Sequence, residues 1–138
     1  MAITKNAGRQ EVIVAMASYA LADLTSGTAV AAIDLPANAR ILDVYNKIGT
    51  AFNSGTTDAL VIQSNEGTPK AYITVSAALN SLTAGLTSRA ANTNLAFVNT
   101  VASTIDVKWT GAGTAATTGD GVVIVEYVVD NRAAFSQG

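Results

Sequence analysis

Thr104-Ile105-Asp106-Val107-Lys108-Trp109-Thr110 is the stretch that decides the fold. Ile105, Val107 and Trp109 fall on one parity and Asp106 and Lys108 on the other, which is the period of two of a half-buried β-strand. A helix would scatter these five side chains around its surface, so the segment reads as a strand with one dry and one wet face. Trp109 shares the parity of Ile105 and Val107 and is expected in the core.

Working outward, the rest of the 138-residue chain repeats short apolar runs punctuated by Gly, Asn, Ser and Pro. That spacing predicts a sandwich or barrel. Strands are expected over Glu11–Ala17, Ala29–Leu35, Arg40–Thr50, Ala59–Gln63, Ala71–Ala77, Leu95–Val98, Thr104–Thr110 and Val122–Asp130. Ser18–Leu24 admits one helical turn. Leu35-Pro36-Ala37-Asn38 reads as a turn, because Pro36 fixes its own φ and pushes Leu35 toward extended geometry. In Arg40–Thr50, Leu42, Val44 and Ile48 are expected on one face with Asp43 and Lys47 on the other, and Asn46 marks a candidate bulge. Asn53-Ser54-Gly55 suggests a hairpin, and Asn65-Glu66-Gly67-Thr68-Pro69 a further turn.

Two regions read less directly. Leu79, Leu82 and Leu86 have the spacing of a short amphipathic helix, against which stand Gly85 and the surrounding Ser and Thr residues. Gly111–Gly121 is a Gly/Ala/Thr-rich segment ending in Asp120-Gly121, the pattern of a long hairpin loop feeding the last strand. That strand, Val122–Asp130, is apolar on both parities and is interrupted only by Glu126. It suits burial on both sides or contact with a neighbouring subunit. About eight strands make an all-β, single-domain β-sandwich with long loops: residues 1–10 as an N-terminal arm, 11–130 as the sandwich and 131–138 as a tail.

Composition narrows the function. With 49% hydrophobic and only 13% charged residues, the surface is finished mainly by Thr, Ser, Asn, Gln and Gly, which suits lying against other protein. Eight basic against ten acidic residues leave a net charge of −2 with no Lys/Arg cluster, so nucleic acid is not expected as a partner. The absence of Cys and His removes disulfides, thiolate chemistry and the ordinary general base. No apolar stretch of signal-peptide length follows Met1–Glu11, and no segment approaches ~20 apolar residues, so no membrane partner is expected. Asp34, Asp43, Asp58, Asp106 and Asp120 are scattered, and read as turn-forming and solvating groups rather than a calcium loop. An Asp43/Asp106 pair for glycoside cleavage is conceivable only if distant strands meet. Gly111–Gly119 lacks the Lys-Ser/Thr ending of a phosphate loop. The eight aromatics are too dispersed for a stacking platform. No enzyme activity and no cofactor is expected.

Several phrases resemble small head proteins of tailed bacteriophages. They are Met1-Ala2-Ile3-Thr4-Lys5-Asn6 with Gly8-Arg9-Gln10-Glu11, Asp34-Leu35-Pro36-Ala37-Asn38-Ala39, and Ala51-Phe52-Asn53-Ser54-Gly55-Thr56-Thr57-Asp58. Phe97-Val98-Asn99-Thr100, Ile105–Gly111 and Asn131-Arg132-Ala133 are similar to the same group. The resemblance implies a capsid decoration (cement) protein with a jelly-roll-like sandwich, commonly trimeric, on the capsid exterior with the major capsid protein as partner. On that reading the arm and tail, through Ile3, Thr4, Lys5, Asn6, Arg9 and Phe135, are candidates for contacting the shell. Val123, Val125, Tyr127 and Val129 are candidates for the subunit interface, with core burial as the competing role. The alternative function is a glycan- or host-binding module of a phage head or tail fibre.

Overall fold

The computed structural model describes residues 11–79, 81–91, 94–96 and 98–130. Nine strands run β1 (Ile13–Ala20), β2 (Ala29–Leu35), β3 (Ala39–Thr50), β4 (Thr57–Ser64), β5 (Lys70–Ala78), β6 (Thr87–Arg89), β7 (Val98–Asn99), β8 (Ser103–Ala112) and β9 (Asp120–Val129). A single 3₁₀ turn, Leu21–Asp23, follows β1 where one helical turn was expected; the carboxylate of Asp23 accepts the Ala20 N–H at 2.9 Å.

The topology follows from folding the chain once at its middle. The β4–β5 hairpin turns through Asn65–Pro69, and from it the two halves run back antiparallel as a ribbon. β3 pairs with β6 and β7, β2 with β8, and β1 with β9. Wrapping the ribbon brings β9 against β3 and β8 against β4. Two sheets result, ordered β1-β9-β3-β6 with β7 also on β3, and β2-β8-β4-β5. This double Greek key is the jelly roll.

The wrapping corrects two expectations. β3 and β4 lie in different sheets, so Ala51–Thr56 is a crossing between layers and not a hairpin. The same holds for residues 113–119 between β8 and β9. Asp120-Gly121 already belongs to β9, and Gly121 is needed for room: a Cβ there would stand 2.5 Å from the Tyr19 hydroxyl and 2.9 Å from the Lys47 carbonyl. The two crossings hold each other, since Asn53 Oδ1 accepts the N–H groups of Thr117 and Thr118 at 2.8 and 3.1 Å.

The inward parity of each strand builds one core. Ile105, Val107 and Trp109 of β8 face Ile33, Leu60 and Ile62 within their sheet, and meet Ile41, Val44, Ile48, Val123 and Val125 from the other. In β3 the extra residue is Leu42, not Asn46. Register shifts between Ile41 and Asp43, leaving Leu42 exposed and placing Ile41, Val44, Asn46 and Ile48 inward. A bulge advances the parity by one, which is why a simple alternation misassigned Leu42. Asn46 is buried, where Oδ1 accepts the Tyr19 hydroxyl at 2.7 Å; burial pushes that phenol up to about 12.

No α-helix forms among the described residues of the Ala78–Asn94 region. Leu82 is fully buried and Leu86 packs on the core edge, while Leu79 is exposed. The backbone is held instead by hydrogen bonds to β3, from Phe52 N–H to Leu82 O at 3.1 Å and from Gly85 N–H to Ile48 O at 2.8 Å.

Candidate interaction surface

The two outer faces of the sandwich are chemically unlike. In the β2-β8-β4-β5 sheet the outward rows read Ala31–Asp106–Gln63 and Ala29–Lys108–Val61–Thr74, small and polar throughout. In the β1-β9-β3-β6 sheet they read Ser18–Val122–Lys47–Thr87, Met16–Ile124–Tyr45–Arg89 and Val14–Glu126–Asp43. Val12, Val14 and Met16 are 55%, 61% and 68% exposed. Val14 and Met16 stand on β1 and Val12 just before it, and β1 is an edge strand whose far side pairs with no strand among the described residues. An edge with unpaired backbone groups and outward apolar side chains invites association.

Between β3 and β9 the same face dips into a concavity of about 440 Å³ walled by Tyr45, Lys47, Thr87, Asp120, Val122 and Ile124. Its rim is fixed by Asp43, which Arg89 grips through Nε at 2.7 Å and through the adjacent Nη2. The guanidinium also lies 5.4 Å from the Tyr45 ring centroid, a cation–π contact. Arg89 holds the Asp43 carboxyl below the usual carboxylate range, and the carboxylate in turn raises Arg89. Lower on β3, Arg40 binds Asp130 through Nε at 2.8 Å and the Ala96 carbonyl at 2.6 Å. That clamp fixes the end of β9, from which the tail departs, and lowers the Asp130 carboxyl.

Of the nominated interface residues, Val123, Val125 and Tyr127 point into the sandwich at 0%, 0% and 8% exposure, and Val129 packs against the same core. Val123, Val125 and Tyr127 thus take the competing core role within the chain, while Val129 is only half-buried. The outward residues of the same strand, Val122, Ile124, Glu126 and Val128, are half-buried and remain available. The signal for them was present: residues 12–16 and 122–125 are apolar on both parities, and a two-layer sandwich covers only one. Ile3, Thr4, Lys5, Asn6, Arg9 and Phe135 lie outside the described residues.

The scattered carboxylates make no joint centre. Asp43 and Asp106 sit on opposite outer faces of the sandwich, so the conceivable glycosidase pair is not formed. Both are buried rather than solvating, as is Asp58 at 2% exposure. Asp58 accepts hydrogen bonds from Trp109 Nε1 at 2.8 Å, Ser54 Oγ at 2.7 Å and Ser54 N–H at 3.1 Å, which makes it a fastener for the β3–β4 crossing. Trp109 is a core residue, its ring 5.6 Å from that of Phe52. Among the described residues no group of three or more Asp or Glu side chains is placed to hold a metal ion. None of the described helices is long and apolar enough to cross a membrane.

No protein-family model matches the chain, and no curated protein matches it. Solved structures do. The cyanophage Pam1 capsid asymmetric unit contains a chain that superposes with a TM-score of 0.64 at 16% identity, over 94% of this chain and 91% of that one. A chain of the acid-stable capsid of Helicobacter pylori bacteriophage KHP30 gives 0.60 at 14% identity, over 86% and 92%. One from the capsid of Ralstonia phage GP4 gives 0.58 at 16%, over 96% and 92%. The chain therefore has, over nearly its whole length, a fold that also occurs among the chains of these phage capsids.

Proposed function

We propose that the chain is a structural, non-enzymatic protein of a bacteriophage virion that binds the outer surface of the capsid and stabilises it as a decoration or cement protein. The observation that carries this reading is the whole-length fold match to chains of three phage capsids. An outer sheet face that exposes Val14 and Met16 beside charged residues supports it. The partner is the major capsid protein. The arm and tail, with Lys5, Arg9 and Phe135 foremost, reach onto the shell, and copies associate with one another, as a homotrimer on the family resemblance. Many weak contacts repeated over a shell add up through effective concentration, so no single contact has to be strong.

Deleting the gene and heating the particles tests the reading. Particles without the protein lose a surface layer and release their genome at lower temperature, and adding back the purified chain restores both. Particles of unchanged mass and heat resistance overturn it.

A further inference from the structure

The outer face of the β1-β9-β3-β6 sheet carries a charge pattern that fits a copy of itself. Its middle row is Met16–Ile124–Tyr45–Arg89. On one side of that row stands Lys47, on the other Glu126, each one row away. Neither makes an ion pair among the described residues, where the two salt bridges are Arg40–Asp130 and Arg89–Asp43. Glu126 adds to the field at Arg89, but the guanidinium contacts Asp43 and Tyr45 and is neutralised there.

We infer that two copies of this chain pair face to face through this sheet, about a two-fold axis that runs across the strands along the Met16–Ile124–Tyr45 row. That rotation exchanges the Lys47 row with the Glu126 row. Lys47 of each copy then lies over the acidic row of the other, within reach of Glu126, and the contact is made twice. Met16, Ile124 and Tyr45 meet their own counterparts, which removes the exposed methionine and the apolar concavity from water. Arg89, at the end of the same row, also meets its counterpart, but Asp43 already answers its charge within each copy, and the two Lys47 contacts with the acidic row supply the self-complementarity that an isologous contact requires. A like-charged face would repel its copy, and a purely apolar one would not fix the register.

Four strands at ~4.8 Å spacing and three rows at ~6.7 Å give a footprint of roughly 400 Å² per copy. A standard stable interface has about 800 Å² per partner. The pairing is accordingly weak and concentration-dependent in solution, and is strengthened where a shell holds copies side by side. The inference rests on the reading that the chain acts by adhesion. A three-fold set would use a different surface.

Sedimentation equilibrium of the full chain tests the pairing, and co-sedimentation with stripped particles tests shell binding separately. Wild type forms dimers that dissociate on dilution. K47E and E126K each place like charges opposite one another and weaken pairing about tenfold or more. K47E/E126K restores it, and an equimolar mixture of the two single variants forms mixed dimers. Unchanged thermal unfolding shows that the variants fold, as expected for outward-facing positions. A wild type that stays monomeric at its highest soluble concentration overturns the inference. Single variants that associate as wild type does, or a double variant no better than the singles, also overturn it. None of those results touches shell binding, which the particle assay reads independently.

Discussion

Replacing Asp58 with alanine removes the acceptor of three hydrogen bonds at a site that is 2% exposed. The indole N–H of Trp109 is then left in a pocket closed to water, at about 2 kcal/mol, and the half-buried Ser54 N–H adds about 1 kcal/mol. The Ser54 hydroxyl can rotate toward solvent and adds little. No longer burying a carboxylate returns part of the loss, so the net destabilisation is about 2–4 kcal/mol. For a chain of this size that lowers the melting temperature by roughly 10 °C. Asp58→Asn keeps one oxygen for Trp109 and the Ser54 hydroxyl but turns an amide N–H₂ toward the Ser54 N–H, at a cost of about 1–2 kcal/mol. Trp109 is the only tryptophan and sits beside Asp58, so urea unfolding followed by its fluorescence reports directly. An alanine variant within about 0.5 kcal/mol of wild type would refute the argument that this carboxylate fastens the crossing.

Leu82→Ala, at a fully buried position, costs about 3 kcal/mol in chemical denaturation. Gly121→Ala forces its methyl group against Tyr19 and the Lys47 carbonyl and lowers the melting temperature, an effect that Tyr19→Phe partly relieves by removing the nearest atom. In acid, Asp43 and Asp130 have folded-state carboxyls below their ordinary value of 3.8. Their contribution is complete above that value and is lost as pH falls through the lower folded one, so the urea midpoint drops there and Asp43→Asn flattens the decline. In alkali the sign reverses. The Tyr19 phenol is raised from 10.0 to about 12, so its contribution is complete below pH 10 and is lost as pH climbs toward 12. Tyr19→Phe removes that part of the alkaline loss, measured as the urea midpoint against pH; the share that remains includes Tyr72, which burial also raises, and Tyr45, raised by its hydrogen bond to Asp43.

Strands declare themselves through parity, and where parity is undisturbed the sequence was sufficient. Ala29–Leu35 forms β2 with the expected ends, and Ile105, Val107 and Trp109 are buried together. Leu42 was misplaced because a bulge changes phase without changing composition. The connections at 51–56 and 113–119 looked like hairpins because Gly, Asn, Ser and Thr serve any reversal of the chain, whether it returns to the same sheet or crosses to the other. Val123, Val125 and Tyr127 were nominated for an interface because β9 is apolar on both parities, and that pattern cannot say which parity faces inward. Burial in the sandwich shows it: Val123, Val125 and Tyr127 face inward, and Val14, Met16, Val122 and Ile124 face outward. Asp58 was read as a solvating carboxylate, since nothing near it in sequence announces the distant indole that it serves.

β9 is the last of the described strands to leave the ribosome, yet it belongs in the middle of its sheet, between β1 and β3. Until residues 120–129 emerge, β1 has no strand of its sheet to pair with, β3 is paired on one side only, and the nascent polypeptide carries an unfilled slot lined by apolar side chains. Sandwich closure therefore waits for β9, and such long-range pairing is slow. A copy cut before residue 120 lacks the central ladder on which the outer face is laid out, so only chains that include β9 present that face.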